Sequence, residues 1–294
     1  VERSRGLGDV YKRQAVLLLI GFIHLMFIWS GDILMLYALM GMALPLFRNV
    51  SDRGLLCWAA AFVLLPIVVD TAANLAGVSL SAPAVRAQWH YCRMYGITEE
   101  NFGYWLRDAD TYKEVFQFLV QGALVRVQEF VDGNRYFKVM GLFILGFYIG
   151  RRRMYADLEN HKRLLRKTAI TGFTIGVPLS LVYAWSAVNG HPLGTPMHDI
   201  LYLVSVYPMG LAYMSALCLI YLRSRNGAFW RWMAAPGRMA LTNYIGQSVI
   251  GMFLFYGIGM GLGASFGLTQ TEVTALCVFV FQVLLSSLWL RYCQ

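Results

Sequence analysis

Long apolar runs separated by short polar joints dominate this chain. Eight such segments can be read, at residues 15–29, 33–47, 55–78, 137–150, 168–188, 200–222, 240–262 and 272–292. A straight bilayer crossing takes about 20 helical residues, so most of these are of spanning length. The second and fourth are short, and are expected to be completed by polar flanks or to lie inside the bundle. A crossing strand would be shorter and would alternate apolar with polar residues. These segments do neither. The predicted fold is therefore all-α, a polytopic transmembrane helix bundle with about eight spans.

One connection is long. Residues 79–135 carry six basic and seven acidic side chains and scattered aromatics. Apolar residues recur near helical spacing between Tyr112 and Phe130. The segment is expected to form amphipathic helices, either a cap lying on the membrane or a lid over a site facing the same side.

Charge gives the chain a direction. Arg48 and Arg53 follow the second segment. Arg151, Arg152, Arg153, Lys162, Arg163, Arg166 and Lys167 follow the fourth. Arg223, Arg225, Arg231 and Arg238 follow the sixth, and Arg291 ends the eighth. These alternate joints fall on one side, which the positive-inside rule makes cytoplasmic. The opposite joints at Ser30-Gly31-Asp32, 191–199 and 263–271 contain no Lys or Arg. A multi-pass protein of the bacterial inner membrane is expected, with membrane lipids as its surroundings.

Composition agrees with this reading. The chain is 58% hydrophobic and 14% charged, against roughly 45–50% and 25% in soluble domains. The formal net charge of +9 does not indicate nucleic-acid binding, because the basic residues cluster at the ends of apolar runs rather than along one stripe. The cysteines Cys57, Cys92, Cys218, Cys277 and Cys293 form no CxxC and no metal-ligand spacing, so neither a disulfide framework nor a metal site is expected.

Residues 1–14 differ from everything after them. They are polar and basic, with no apolar core of the signal-peptide kind. Ser4 to Gln14 reads SRGLGDVYKRQ, the in-frame translation of a transposase-type sequencing adapter. Natural sequence is expected to start near Ala15, inside a helix, and both ends of the chain to be truncated. The domain expected is then 15–294.

Ionisable groups inside a bilayer cost about 2.5–3.5 kcal/mol each on insertion scales. Those that remain are candidates for function. His24 lies in the first segment, Asp32 in the turn after it, and Tyr37 just beyond. So short a joint folds the two helices back on each other, which lets His24 and Asp32 approach. Such a pair can hold one imidazole tautomer as a proton donor or acceptor. It can also be a structural hydrogen bond, with Asp32 capping the second helix. Asp70 and Asn74, one turn apart, form a polar stripe that either faces a cavity or joins helices. His198-Asp199 reads as a helix cap. Arg238, Asn243 and Gln247 offer a cation and two carboxamides from the cytoplasmic edge inward. They suit an anionic group such as the phosphates of an acyl carrier, or else serve as a topological anchor with interhelical hydrogen bonds. No GxSxG, Walker A, HExxH or strand-borne GxGxxG motif is present.

Three stretches carry a family resemblance. They are Gly21-Phe22-Ile23-His24 with Trp29-Ser30-Gly31-Asp32-Ile33-Leu34 and Tyr37-Ala38-Leu39-Met40-Gly41; Gly237 to Tyr244 with Gln247; and Trp289-Leu290-Arg291-Tyr292. In order and spacing they resemble the YeiB-like family of bacterial inner-membrane proteins, which carries a domain of unknown function. At fold level that family is similar to multi-span acyltransferases of the heparan-α-glucosaminide acetyltransferase type. The resemblance implies an acyl-CoA donor substrate at the cytoplasmic side, no permanently bound cofactor, a glycan or lipid acceptor outside, and His24 as the reacting base. Relatives begin with further helices bearing an Arg/Asp-rich motif and end in a basic, Trp-containing tail. Neither is present in this sequence. A transporter or exporter of a small solute is the alternative, with the intramembrane polar residues lining its path. Against it, the sequence shows no internal repeat and no paired broken helices.

Overall fold

The computed structural model describes residues 2–225 and 227–292. Val1, Cys293 and Gln294, which fall in the adapter and terminal readings above, lie outside the described residues. The described residues form helices only. In chain order these are α1 (Glu2–Phe27), α2 (Leu34–Ala43) with a 3-10 turn (Leu44–Phe47), α3 (Asp52–Leu75), α4 (Ala82–Tyr95), α5 (Trp105–Asp108), α6 (Tyr112–Asp132), α7 (Arg135–Arg151), α8 (Lys162–Val188), α9 (Thr195–Arg223), α10 (Ala228–Arg238), α11 (Ala240–Phe255) and α12 (Leu268–Tyr292).

All eight apolar segments are helical, with boundaries that differ for identifiable reasons. Pro45 cannot donate a backbone hydrogen bond, and the second segment tightens into the 3-10 turn there. The seventh stops at Phe255 rather than 262, because the Gly257, Gly259, Gly261 and Gly263 run turns back on α11. Met260 N donates to Phe253 O at 2.8 Å and Leu262 N to Leu254 O at 3.0 Å. The fifth begins earlier than its apolar run, at Lys162, since charged residues are good helix formers. Residues 2–14 continue α1 without a break. A basic joint hides one helix, the amphipathic α10.

Among the described residues, five helices are long and apolar enough to cross a membrane: Gly8–Phe27 within α1, α3, α8, Pro196–Arg223 within α9, and α12. Two shorter apolar stretches, Leu34–Phe47 and Ala240–Phe255, accompany them. At most 22% of any of the five spanning windows is buried, so most of their apolar side chains face outward. Val68, Leu181, Leu276 and Phe253 are each more than half exposed. A water-soluble protein does not present this much apolar surface. The chain is a membrane protein.

The helices group into two compact units. One comprises α3, α7, α8 and α9. Small residues let its helices touch closely: a Cβ on Gly141 would meet Ala59 O and Val63, and one on Gly172 would collide with Pro208 O. Ser51 caps α3 by accepting from Gly54 N at 3.2 Å, and Arg151 pairs with Asp52.

The other unit comprises α1, α2, α4–α6 and α10–α12. Its Leu80–Gly133 stretch has a core of its own, with Cys92, Ile97 and Phe118 buried against Trp89, Phe102 and Trp105. The start of α6 is a capping box. Glu114 N donates to Thr111 Oγ1 at 3.4 Å, and Thr111 N donates to Glu114 Oε2 at 3.0 Å. Those bonds from Thr111, with a further one from Asp110 N, hold the Glu114 carboxyl below the usual carboxylate range. A second cluster joins Val115 and Leu119 of α6 to Tyr256, Trp29 and Met252. The Leu80–Gly133 stretch therefore packs, through α6, on the turn that follows α1.

Candidate functional site

The site grows out of that turn. α1 ends at Phe27 because Ile28 N and Trp29 N both donate to His24 O, at 3.0 and 2.8 Å. The chain reverses through Ser30-Gly31-Asp32, and α2 returns alongside α1. Gly21 makes the close return feasible, since a Cβ there would meet Met35 N at 2.7 Å. The reversal brings His24 Nδ1 to 3.0 Å from Asp32 Oδ1. Both residues are 1% exposed. The other carboxylate oxygen, Oδ2, accepts from Met35 N at 2.9 Å and caps α2. Asp32 thus bonds the imidazole with one oxygen and caps α2 with the other.

An ionised carboxylate only accepts hydrogen bonds, so Nδ1 of a neutral His24 carries the proton and Nε2 presents a lone pair. Nε2 is buried and has no hydrogen-bond partner among the described residues. The Tyr244 ring lies beside the imidazole, 5.1 Å between centroids, and its hydroxyl accepts from Ile33 N at 3.3 Å.

Carbonyls at and just past the end of a helix lack intrahelical donors. Here other elements supply them. Tyr112 Oη donates to Phe27 O at 2.7 Å, Tyr256 Oη to Ile28 O at 3.3 Å, and Arg126 Nε to Ser30 O at 3.1 Å. Arg126 also pairs with Glu129 at 2.5 Å, and its cation suits the negative end of α1. The Trp29 and Tyr256 rings stack at 5.9 Å. Gly122 lets α6 settle on Ser30, because a Cβ there would collide with the serine side chain.

His24 and Asp32, the turn between them, and Tyr244 beside them lie in stretches on which the family resemblance rests. Comparison with known proteins decides the matter. Residues 149–294 match a family described as "Protein of unknown function (DUF418)". The "Uncharacterized protein YxaH" of Bacillus subtilis (strain 168) is 27% identical over 305 residues, covering 99% of this chain and 71% of that protein. The "Uncharacterized protein YeiB" of Escherichia coli (strain K12) is 23% identical over 318 residues, covering 98% and 73%. Residues 149–294 carry the domain of that family, and the chain as a whole is similar to YeiB-like proteins. No solved structure matches it.

The remaining sequence candidates of this YeiB-like chain fall in different places. Tyr37 sits on the exposed side of α2. Asn243 turns into α12. Its Nδ2 donates to Ser286 Oγ at 3.0 Å, and its backbone oxygen accepts from Gln282 Nε2 at 2.7 Å. Gln247 instead lines a groove with Thr274, Val278 and Gln282. Arg238 lies at the end of α10, against Arg231 and Arg291. The three residues therefore do not make one ligand-facing row. Asp70 belongs to the other unit, where Asn134 Nδ2 donates to Oδ1 at 2.5 Å, while Asn74 is exposed. His198 stacks on Tyr183 at 4.5 Å between centroids.

The sequence reading passed over Tyr112, Arg126, Tyr244 and Tyr256. Only Tyr244 left a signal, as part of the Gly237 to Tyr244 stretch. The others are separated from the turn by 85 to 228 residues.

Proposed function

We propose that this YeiB-like protein is an acyltransferase of the bacterial inner membrane, moving an acyl group from cytoplasmic acyl-CoA to a hydroxyl or amine on an extracytoplasmic glycan or lipid. The observation that carries the reading is the buried His24, with Nδ1 held by Asp32 and Nε2 left without a partner. A buried polar atom normally finds a hydrogen bond. An imidazole oriented by a carboxylate, with its other nitrogen bare, is the arrangement that takes a proton from a nucleophile.

In this reading the acceptor O–H or N–H donates to His24 Nε2. As the proton moves to Nε2, the acceptor atom attacks the thioester carbonyl. The C–S bond then breaks, and the imidazolium returns its proton to the departing thiolate. Asp32 stabilises the imidazolium between those steps. The α6 helix, bonded to the turn through Tyr112 and Arg126, serves as the lid that keeps water from the reacting thioester.

The test uses membrane vesicles containing the wild-type protein or His24→Ala, supplied with labelled acyl-CoA. Label is expected in a glycan or lipid fraction with wild type and to fall at least about 100-fold in the variant. Equal labelling by both proteins sinks the assignment of His24. Absence of His24-dependent transfer from any acyl-CoA sinks the acyltransferase reading.

A further inference from the structure

Arg231 and Arg238 are seven residues apart on α10, which puts them two turns apart on one face. Arg291, from the last turn of α12, meets them. Together with Trp232, Ser287 and Leu290, the three arginines line a hollow of about 290 Å³. All three are exposed, and none has a carboxylate partner among the described residues. Arg151 and Arg152 pair with Asp52, Arg225 with Glu159 and Arg126 with Glu129, while Arg163, Arg166 and Lys167 gather along α8 alone, with no second helix adding a cation to their hollow.

Three guanidiniums converging on one space repel each other unless an anion joins them. Helix dipoles account for part of the arrangement, since Arg238 and Arg291 lie in the last turns of their helices. They do not account for Arg231, which is two turns further back. Anchoring at the membrane surface explains basic residues on α10, but not why a third from α12 shares their hollow.

We propose that this hollow is a phosphate-binding site. Guanidinium forks bind phosphate oxygens in pairs, and three of them around a small space suit two linked phosphates better than one carboxylate. Trp232, 62% exposed, flanks the arginines and offers a face on which a purine ring can lie. The ligand class is therefore a nucleotide-type diphosphate, of which coenzyme A is one. The same phosphate chemistry is carried by anionic phospholipid headgroups. The inference extends the donor side of the preceding reading, but it does not depend on His24.

The protein in nanodiscs separates these sources. In zwitterionic lipid, pyrophosphate and coenzyme A are added while binding is followed by calorimetry. In discs containing phosphatidylglycerol, retained lipid is quantified by mass spectrometry. Coenzyme A and pyrophosphate are expected to bind and to compete with each other. Each of Arg231→Gln, Arg238→Gln and Arg291→Gln is expected to weaken binding about 10-fold, and Arg238→Lys to weaken it less. Retention of phosphatidylglycerol that the same Gln substitutions abolish, without pyrophosphate binding, assigns the phosphate to lipid. Affinities unchanged by all three substitutions, or no phosphate ligand in either disc, overturn the site. His24→Ala is expected to bind as wild type does. If it binds but wild type transfers nothing, the phosphate site stands and the acyltransferase reading falls. Variants are compared only where gel-filtration elution matches wild type.

Discussion

Asp32 divides its two oxygens between an imidazole and a helix cap, and the division separates two substitutions. In Asp32→Asn the side chain keeps its shape and one oxygen, so the cap can survive, but the amide no longer fixes the proton on His24 Nδ1. Acyl transfer is expected to fall by roughly 100- to 10,000-fold with little change in melting temperature. Asp32→Ala loses the cap as well, and is expected to cost about 1 kcal/mol in addition. Comparing turnover and thermal unfolding for the two variants checks this. If Asp32→Asn transfers as wild type does, the carboxylate is structural only. Tyr244→Phe keeps the ring beside His24 and removes the acceptor of Ile33 N. About 1–3 kcal/mol of destabilisation is expected from the stranded amide, read as a lowered melting temperature.

Among the elements, α6 connects the most to the site while looking least like a part of it. Gly122→Val is expected to lift α6 from Ser30, exposing amides 28–33 to hydrogen exchange. An unchanged exchange pattern would remove the close approach as the reason for glycine. The capping box gives α6 a pH dependence. Because Glu114 is held below its ordinary value by Thr111, its contribution is complete above the usual carboxylate range and is lost as pH falls through the lowered folded value. Fraying of residues 111–116 on acidification is expected in exchange corrected for intrinsic rate, and Glu114→Gln should show it already at pH 7. The sequence announced α6 through its periodicity. It also announced His24 and Asp32, since eight residues across a tight turn leave little choice of partner. It concealed α10, because the four arginines between residues 223 and 238 read as a joint. It also concealed the Asn134 hydrogen bond to Asp70, because nothing local pairs residues 64 apart.

At the scale of the molecule, the apolar exterior and the eight apolar segments were readable from the start, because bilayer solvent imposes length and hydrophobicity on every span. Sidedness is a prediction of the positive-inside rule. With Cys57 and Cys277 replaced by Ser, Ser265→Cys should react with an impermeant maleimide added outside intact cells, while Gly237→Cys should react only after the membrane is opened. The reverse pattern would invert the topology.

The contacts that complete the turn also fix when it can be completed. Ile28 waits for Tyr256, and Ile33 for Tyr244, 228 and 211 residues later in the chain. At about 5–20 residues per second of synthesis, the ribosome reaches those tyrosines on the order of tens of seconds after the first hairpin emerges. During that interval a buried histidine and a carboxylate sit in a hairpin whose Ile28 carbonyl lacks its donor and whose Ile33 amide lacks its acceptor. Biogenesis of this protein therefore passes through a long-lived, half-satisfied hairpin, the natural point for an insertase to hold it and for a membrane protease to remove chains that never acquire α11.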